Sequence, residues 1–130
     1  MQVVAALIVE QNRLLICQRR EAGPFPLKWE FPGGKVDRGE GLVEALSREL
    51  REELAIDIPS AKEFFRHNHA YAEGTQVDLI FFRVDEYRGK IVNRVFRDIR
   101  WVELPELETF DFLDGDRPLI DRLVSGGVPR

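Results

Sequence analysis

The stretch Gly34–Ile56, GKVDRGEGLVEALSRELREELAI, places an acidic helix directly behind a Gly-Gly turn, and its carboxylates do not fall where a solvent-facing helix would put them. Helical residues advance by about 100° each, so every position can be set on a wheel. With Glu49 at zero, Leu42 falls near ~20°, Leu46 near ~60°, Leu50 near ~100°, Val43 near ~120° and Leu54 near ~140°, a broad apolar stripe that faces a core. Glu53 falls near ~40°, inside that stripe. Glu52 comes at roughly −60°, so Glu49, Glu52 and Glu53 fan across one edge of the stripe at three- and four-residue spacings. Arg48, Arg51, Glu44 and Glu40 take the solvent side. Carboxylates crowded at the margin of a buried surface repel one another and lose hydration unless something strongly positive neutralises them. A hard divalent cation meets that need. A salt-bridged amphipathic helix, with Arg48 and Arg51 as partners, is the plainer alternative, and the surrounding residues argue against it.

Those residues follow fixed spacings: Gly34, five residues, Glu40, seven residues, Arg48-Glu49-Leu50, one residue, Glu52-Glu53, one residue, Ala55-Ile56. The pattern resembles the Nudix box over 23 residues and departs from it only at Ala55, where the box has its second glycine. If the backbone there is left-handed, alanine costs on the order of 1 kcal/mol. The preceding Trp29-Glu30-Phe31-Pro32-Gly33-Gly34-Lys35 looks like the MutT-type branch, whose members hydrolyse nucleoside triphosphates. The resemblance implies an α/β/α sandwich with a mixed sheet between helices. It also implies that Glu49, Glu52 and Glu53 bind Mg²⁺ or Mn²⁺ together with the carbonyl of Gly33, and that Arg48 orients the carboxylates. Water is then expected to attack a phosphorus of the diphosphate linkage, typically the β position, to release a nucleoside monophosphate and pyrophosphate.

Substrate contacts follow from the same likeness. Arg19 matches a phosphate-contacting arginine of the branch, and a guanidinium fork suits that contact. Lys35 is a second candidate, with an exposed loop lysine as the alternative. Asp116, in Phe112-Leu113-Asp114-Gly115-Asp116-Arg117-Pro118, takes the position from which an Asn or Asp of such enzymes reads the base. A carboxylate there accepts from a cytosine amino group or from a guanine edge, which leaves both open. A helix cap ahead of Pro118 is the local alternative for Asp116. Relatives often carry a further glutamate, as metal ligand or base, where this chain has Val95, so Asp98 or a box glutamate is left to serve as general base.

Composition agrees with a small enzyme: 130 residues with 44% hydrophobic content make one domain with a real core, residues 1–130. A net charge of −4 argues against binding nucleic-acid polymers. From Arg13 to Gly39, however, six Lys or Arg face three acids, which gives that segment +3 and the rest −7. A basic segment beside an acidic helix suits a metal-bound polyphosphate. The opening MQVVAALIVEQNR has no basic run before its short apolar stretch and no segment is long enough to span a bilayer, so a cytoplasmic protein without a membrane partner is expected. Cys17 is the only cysteine, read as a buried thiol. His67 and His69 share a strand face but make a poor zinc site without nearby cysteine.

The remaining pattern is α/β. Val3 to Val9 and Leu14 to Gln18 read as a hairpin, Trp29 to Phe31 as a short strand, and Gly41 to Leu54 as the helix. Phe64 to Ala72 and Thr75 to Asp85 form a second hairpin, in which Val77, Leu79 and Phe81 alternate with Ile80, Phe82 and Val84, so the sheet is covered on both faces. Ile99 to Val102 is a strand and Pro118 to Val124 a closing helix. The expected activity is metal-dependent hydrolysis of nucleoside triphosphates, including oxidised ones such as 8-oxo-dGTP cleared from the nucleotide pool, by a monomer or homodimer. CTP or modified dCTP hydrolysis, hydrolysis of nucleotide sugars, and a non-catalytic nucleotide-sensing domain are the competing readings.

Overall fold

The computed structural model describes residues 1–128 and places a mixed seven-stranded sheet between two helices. The sandwich expected from the sequence is the one observed. Strands β1 (Gln2–Glu10) and β2 (Arg13–Gln18) form the first hairpin. Gln11 and Asn12 turn it with φ of 52° and 63°, the positive pair that a tight right-twisted hairpin requires.

The hairpin is a fork. Antiparallel pairing between β1 and β2 is confined to Val9–Leu14 and Glu10–Arg13, after which the strands diverge. The chain fills the gap with its own later segment: β3 (Trp29–Glu30) pairs with Cys17 and Gln18 of β2, and β4 (Gly33–Lys35) pairs with Val3, Val4 and Ala5 of β1. The Pro32 carbonyl accepts from Ala6 N–H at 2.8 Å between the two. The sequence Trp29–Lys35 is therefore a wedge whose backbone is satisfied on both sides, which fixes Glu30 and Gly33–Gly34 at the mouth of the fork.

On its other edge β1 runs parallel to β6 (Gln76–Val84), which pairs antiparallel with β5 (Lys62–Ala70). Strand β7 (Asp98–Glu103) closes the far edge against β2. Side chains of β1 alternate between two cores. Val4, Ala6 and Ile8 pack with Ala45, Leu46, Leu50 and Leu54 of helix α1 (Leu42–Leu54). Ala5 and Leu7 pack on the opposite face with Leu119, Ile120 and Leu123 of helix α2 (Arg117–Gly126). The two-sided apolar pattern of β6 divides in the same way, with Val77, Leu79 and Phe81 on the α2 side and Ile80, Phe82 and Val84 on the α1 side. Among the described residues no helix is long and apolar enough to cross a membrane.

One position of the α1 stripe is corrected. Val43 is 41% exposed, although its angle matches that of buried neighbours. The segment that covers this margin runs along the last turn, where Val92 and Arg94 N–H groups donate to the Leu54 and Glu53 carbonyls, and Val43 lies in the first turn. The helix ends at Ala55, which is left-handed (φ 61°, ψ 30°) and donates its N–H to the Arg51 carbonyl. Alanine here bears the strain that a glycine would avoid. Ala55→Gly should therefore raise unfolding stability by about 0.5–1 kcal/mol in urea denaturation, whereas a loss of stability would mean that the alanine methyl packs well enough to outweigh the strained backbone.

Candidate active site

Arg48 organises the approach to α1. Its Nε and Nη2 donate to the two Glu40 carboxylate oxygens at 2.8 and 3.0 Å, Nη2 also reaches the Lys35 carbonyl at 3.0 Å, and Nη1 reaches Glu49 Oε1 at 2.9 Å. The solvent-side position read from the wheel is thus corrected: the guanidinium folds down and binds the loop 35–40 to the helix. The forked bond from Arg48 holds the Glu40 carboxyl below the usual carboxylate range. Arg51, by contrast, stays outside and pairs with Asp57 at 2.7 Å.

Held in this way, the Glu49 carboxylate lies flat on the Gly34 backbone. A side chain at Gly34 would put its first carbon 2.6 Å from both Glu49 oxygens, so this approach requires glycine. Glu53, one turn on, projects from the middle of the buried face toward the fork, where its Oε1 accepts the Gly33 N–H at 3.1 Å. Burial, joined by the neighbouring carboxylates Glu49, Glu30 and Glu52 and opposed by the Gly33 N–H, pushes its pKa up to about 9. Burial also raises Glu49, against the pull of Arg48. Two acids four residues apart on the core side of a helix, one of them unable to ionise at neutral pH by itself, are a donor set that fits a hard cation.

The cage is not preassembled. Among the described residues, no three His, Cys, Asp or Glu side chains are grouped closely enough to hold a metal. The Glu52 side chain is 58% exposed, 3.5 Å from Arg48 Nη1, and Gly33 meets Glu53 through its N–H rather than through the carbonyl expected to serve as ligand. The four expected ligand residues share one locality without converging on a point.

A cavity of about 360 Å³ is lined by Glu53 and Gly34, by Glu30 and Arg19, and by Asp116. Its size suits a small ligand. Arg19 Nη1 donates to both Glu30 oxygens at 3.2 and 3.1 Å and its Nε to the Pro24 carbonyl at 3.0 Å, so the expected phosphate contact faces the cavity as part of an ion pair. Lys35 lines the same cavity and is exposed. Other members of the basic segment go elsewhere: Lys28 pairs with Asp111 at 2.8 Å, and Arg20 Nε donates to the Val95 carbonyl at 2.6 Å. Val95 lines a smaller adjoining cavity of about 230 Å³ that also includes Glu30 and Glu53. Asp98 is held by Arg100 at 2.9 Å, so the carboxylates facing both cavities are Glu30 and Glu53.

Asp116 is the one buried charged residue among those described. It stands at the N-cap of α2, just before Arg117, yet makes no side-chain cap bond, so the capping alternative gives way. Its carboxyl instead accepts the Phe31 backbone N–H, and burial, with Glu30 adding to it, raises its pKa well above the carboxylate range. The placement depends on tertiary pairing. Trp29 N–H donates to the Asp111 carbonyl at 2.9 Å and Leu113 N–H to the Trp29 carbonyl at 3.0 Å, which lays residues 111–113 along the wedge. Behind Asp116, Gly115 has room for no side chain, because a carbon there would lie 2.8 Å from Leu79 Cδ1 and 3.2 Å from the Tyr71 hydroxyl. His69 meets Tyr71 edge-on at 4.5 Å, so these two residues form the wall that Gly115 abuts.

Three residues to which the sequence reading gives no role, Glu30, Tyr71 and Phe25, line the larger cavity. Glu30 carried a signal, as the lone acid between aromatic residues in a strand; Phe25 carried none.

The NUDIX domain family matches residues 1–123. The chain is 34% identical to the 8-oxo-dGTP diphosphatase of Haemophilus influenzae, over 95% of this chain and 91% of that protein. It is 29% identical to the CTP pyrophosphohydrolase of Escherichia coli, again over 95% and 91%. The crystal structure of a MutT protein from Methanosarcina mazei superimposes with a TM-score of 0.86 at 25% identity, covering 99% of this chain and 96% of that one.

The electrostatics give a stability test. Glu53 has a folded pKa of about 9 against an ordinary 4.5, so the unfolded chain releases this proton first and metal-free stability falls as pH rises between those values. Glu53→Gln should therefore stabilise the metal-free protein, by on the order of 1–3 kcal/mol at pH 8 and by progressively less toward pH 5 in denaturant titrations. Parallel pH curves for the two proteins would show that Glu53 is not held in this environment.

Proposed function

The chain belongs to the NUDIX domain family, and from that membership we propose that it hydrolyses nucleoside triphosphates to the monophosphate and pyrophosphate. The observation that carries the proposal is the half-buried Glu53 carboxyl, set beside Glu49 against the Gly33–Gly34 turn, in the wall of a cavity that Asp116 also lines. Such a cavity joins a site for cationic charge to a site for hydrogen-bond recognition, and a nucleotide has that polarity. Nudix hydrolases are generally dependent on a divalent metal. Mg²⁺, or Mn²⁺, would be held by Glu49, Glu53 and Glu52, with Glu52 turning in from solvent; when bound it neutralises phosphate oxygens and supplies an activated water.

The residues of the chain do the rest. Arg48 positions Glu49 and fixes the loop above it, Arg19 and Lys35 offer cationic donors to the polyphosphate, and Glu30 or Glu53 takes the proton of the attacking water. The water oxygen bonds to the β-phosphorus as the bond from that phosphorus to the α–β bridging oxygen breaks, so the nucleoside monophosphate leaves and the attacked group becomes pyrophosphate. Asp116, whose ionised form is disfavoured by burial, offers in its protonated form one donor and one acceptor to the edge of a base. Both the oxidised-guanine and the cytosine readings suit that pattern, and relatives named for each stand at comparable distance from this chain.

The test is pyrophosphate release from normal and oxidised nucleoside triphosphates, with nucleotide sugars alongside, with and without Mg²⁺. Metal-dependent pyrophosphate from a triphosphate is expected; nucleotide binding without turnover would favour the sensing role. Glu53→Gln should lower kcat by more than about a hundredfold without unfolding the chain. Asp116→Ala should raise KM for the preferred base by about tenfold or more, and Asp116→Asn, which keeps one donor and one acceptor, by less. An unaltered nucleotide profile in Asp116→Ala would remove it from base recognition.

A further inference from the structure

Reading a base edge through Asp116 leaves the flat face of the base to be covered, and most of the aromatic rings near the cavity are already engaged. Phe31 is buried between Phe81 and Phe112, with centroids at 6.3 and 5.4 Å, and Tyr71 is stacked on His69. Phe25 differs. It lines the cavity, is 41% exposed, and touches Tyr71 at a centroid distance of 5.4 Å in a tilted contact.

The backbone that presents Phe25 is unusual. Phe25 and Leu27 are left-handed, with φ of 52° and 63°, although neither is glycine and each adjoins Pro26. A residue before proline favours extended backbone, so Phe25 is held against both its own preference and that of its neighbour. Strain of this kind persists where the surrounding structure enforces it and concentrates at ligand clamps. Here the restraints come from the ends of the loop: Arg19 N–H donates to the Lys28 carbonyl at 2.8 Å, and Arg19 Nε grips the Pro24 carbonyl at 3.0 Å, one residue from Phe25. The same guanidinium lies 6.0 Å from the Phe25 ring centroid and also binds Glu30. Arg19 is therefore the physical link between the phosphate end of the cavity and the loop that carries the aromatic ring.

We propose that Phe25 is the stacking face for the nucleobase, carried on a strap, residues 20–27, whose position Arg19 couples to the polyphosphate. The inference rests on the nucleoside triphosphate reading above. The base enters between Phe25 and the Tyr71 wall and exchanges the Phe25–Tyr71 contact for stacking, which tolerates any base because every base has a π face. Asp116 then selects the base, and Phe25 supplies affinity common to all of them.

The test compares nucleotide binding with binding of a ligand that lacks a base. Non-hydrolysable α,β-methylene nucleoside triphosphates and inorganic tripolyphosphate are titrated into the Mg²⁺-loaded wild-type chain, Phe25→Ala and Phe25→Trp. Phe25→Ala should weaken every nucleotide about tenfold and leave tripolyphosphate unchanged. Phe25→Trp should restore nucleotide binding, and its added fluorescence over wild type should be quenched by nucleotide but not by tripolyphosphate. Equal weakening of both ligands, or none, in a Phe25→Ala protein with wild-type Tm overturns the stacking role while the triphosphate reading stands. A wild-type chain that binds no nucleotide overturns both.

Discussion

A carboxyl group in the middle of a buried helix face is the constraint around which this molecule is arranged. Glu53 occupies a place on α1 where its neighbours Leu46, Leu50 and Leu54 are fully buried, and its carboxyl accepts the Gly33 backbone N–H. An apolar residue there would pack better, so the position carries a destabilising charge problem that the fold does not solve with a buried arginine. Arg48 is instead spent on Glu40 and Glu49, which stiffens the loop and leaves Glu53 uncompensated. The arrangement is coherent if the missing positive charge arrives from outside.

The fork in the sheet makes this possible. Diverging β1 and β2 create a gap that the wedge Trp29–Lys35 fills, and the wedge delivers three components to one place: a half-buried acid, Glu30; an amide donor, Gly33; and a surface without side chains, Gly34. The same wedge recruits residues 111–113 along Trp29 and so draws Asp116 under Phe31. One short segment therefore fixes both Asp116 and the glycine turn that the acids of α1 approach.

Much of this was legible in the sequence because it is local. The helical period of Leu42–Leu54 exposed the anomaly at Glu53, and the glycine pair ahead of it read as a turn, with no sign of the close approach that Glu49 makes on Gly34. Even the left-handed Ala55 was anticipated from a missing glycine. Other features depend on contacts remote in sequence. The fork has no local signal, since its register is set by pairing between residues about thirty apart. Asp116 had two equal local readings, cap and base reader, and neither foretold that its carboxyl would make no cap bond and lie buried against Phe31. Val43 shared an angle with buried leucines but not the segment that covers them. Arg48, placed in solvent by the wheel, is long enough to fold back to Glu40, and a wheel records only where a side chain starts. The ligand set was legible as a group of residues on one edge of α1, whereas the outward turn of Glu52 was not.

The most direct measurement is the thermal stability of the wild-type chain and Glu53→Gln as Mg²⁺ is added at pH 8. A cation taken up by this carboxyl stabilises the folded state in proportion to RT ln(1 + [L]/Kd), so the Tm of the wild type should climb with Mg²⁺ while that of Glu53→Gln stays nearly flat. Equal rises in both proteins, or a wild type indifferent to Mg²⁺, would contradict the view that the buried Glu53 is poised for a metal ion.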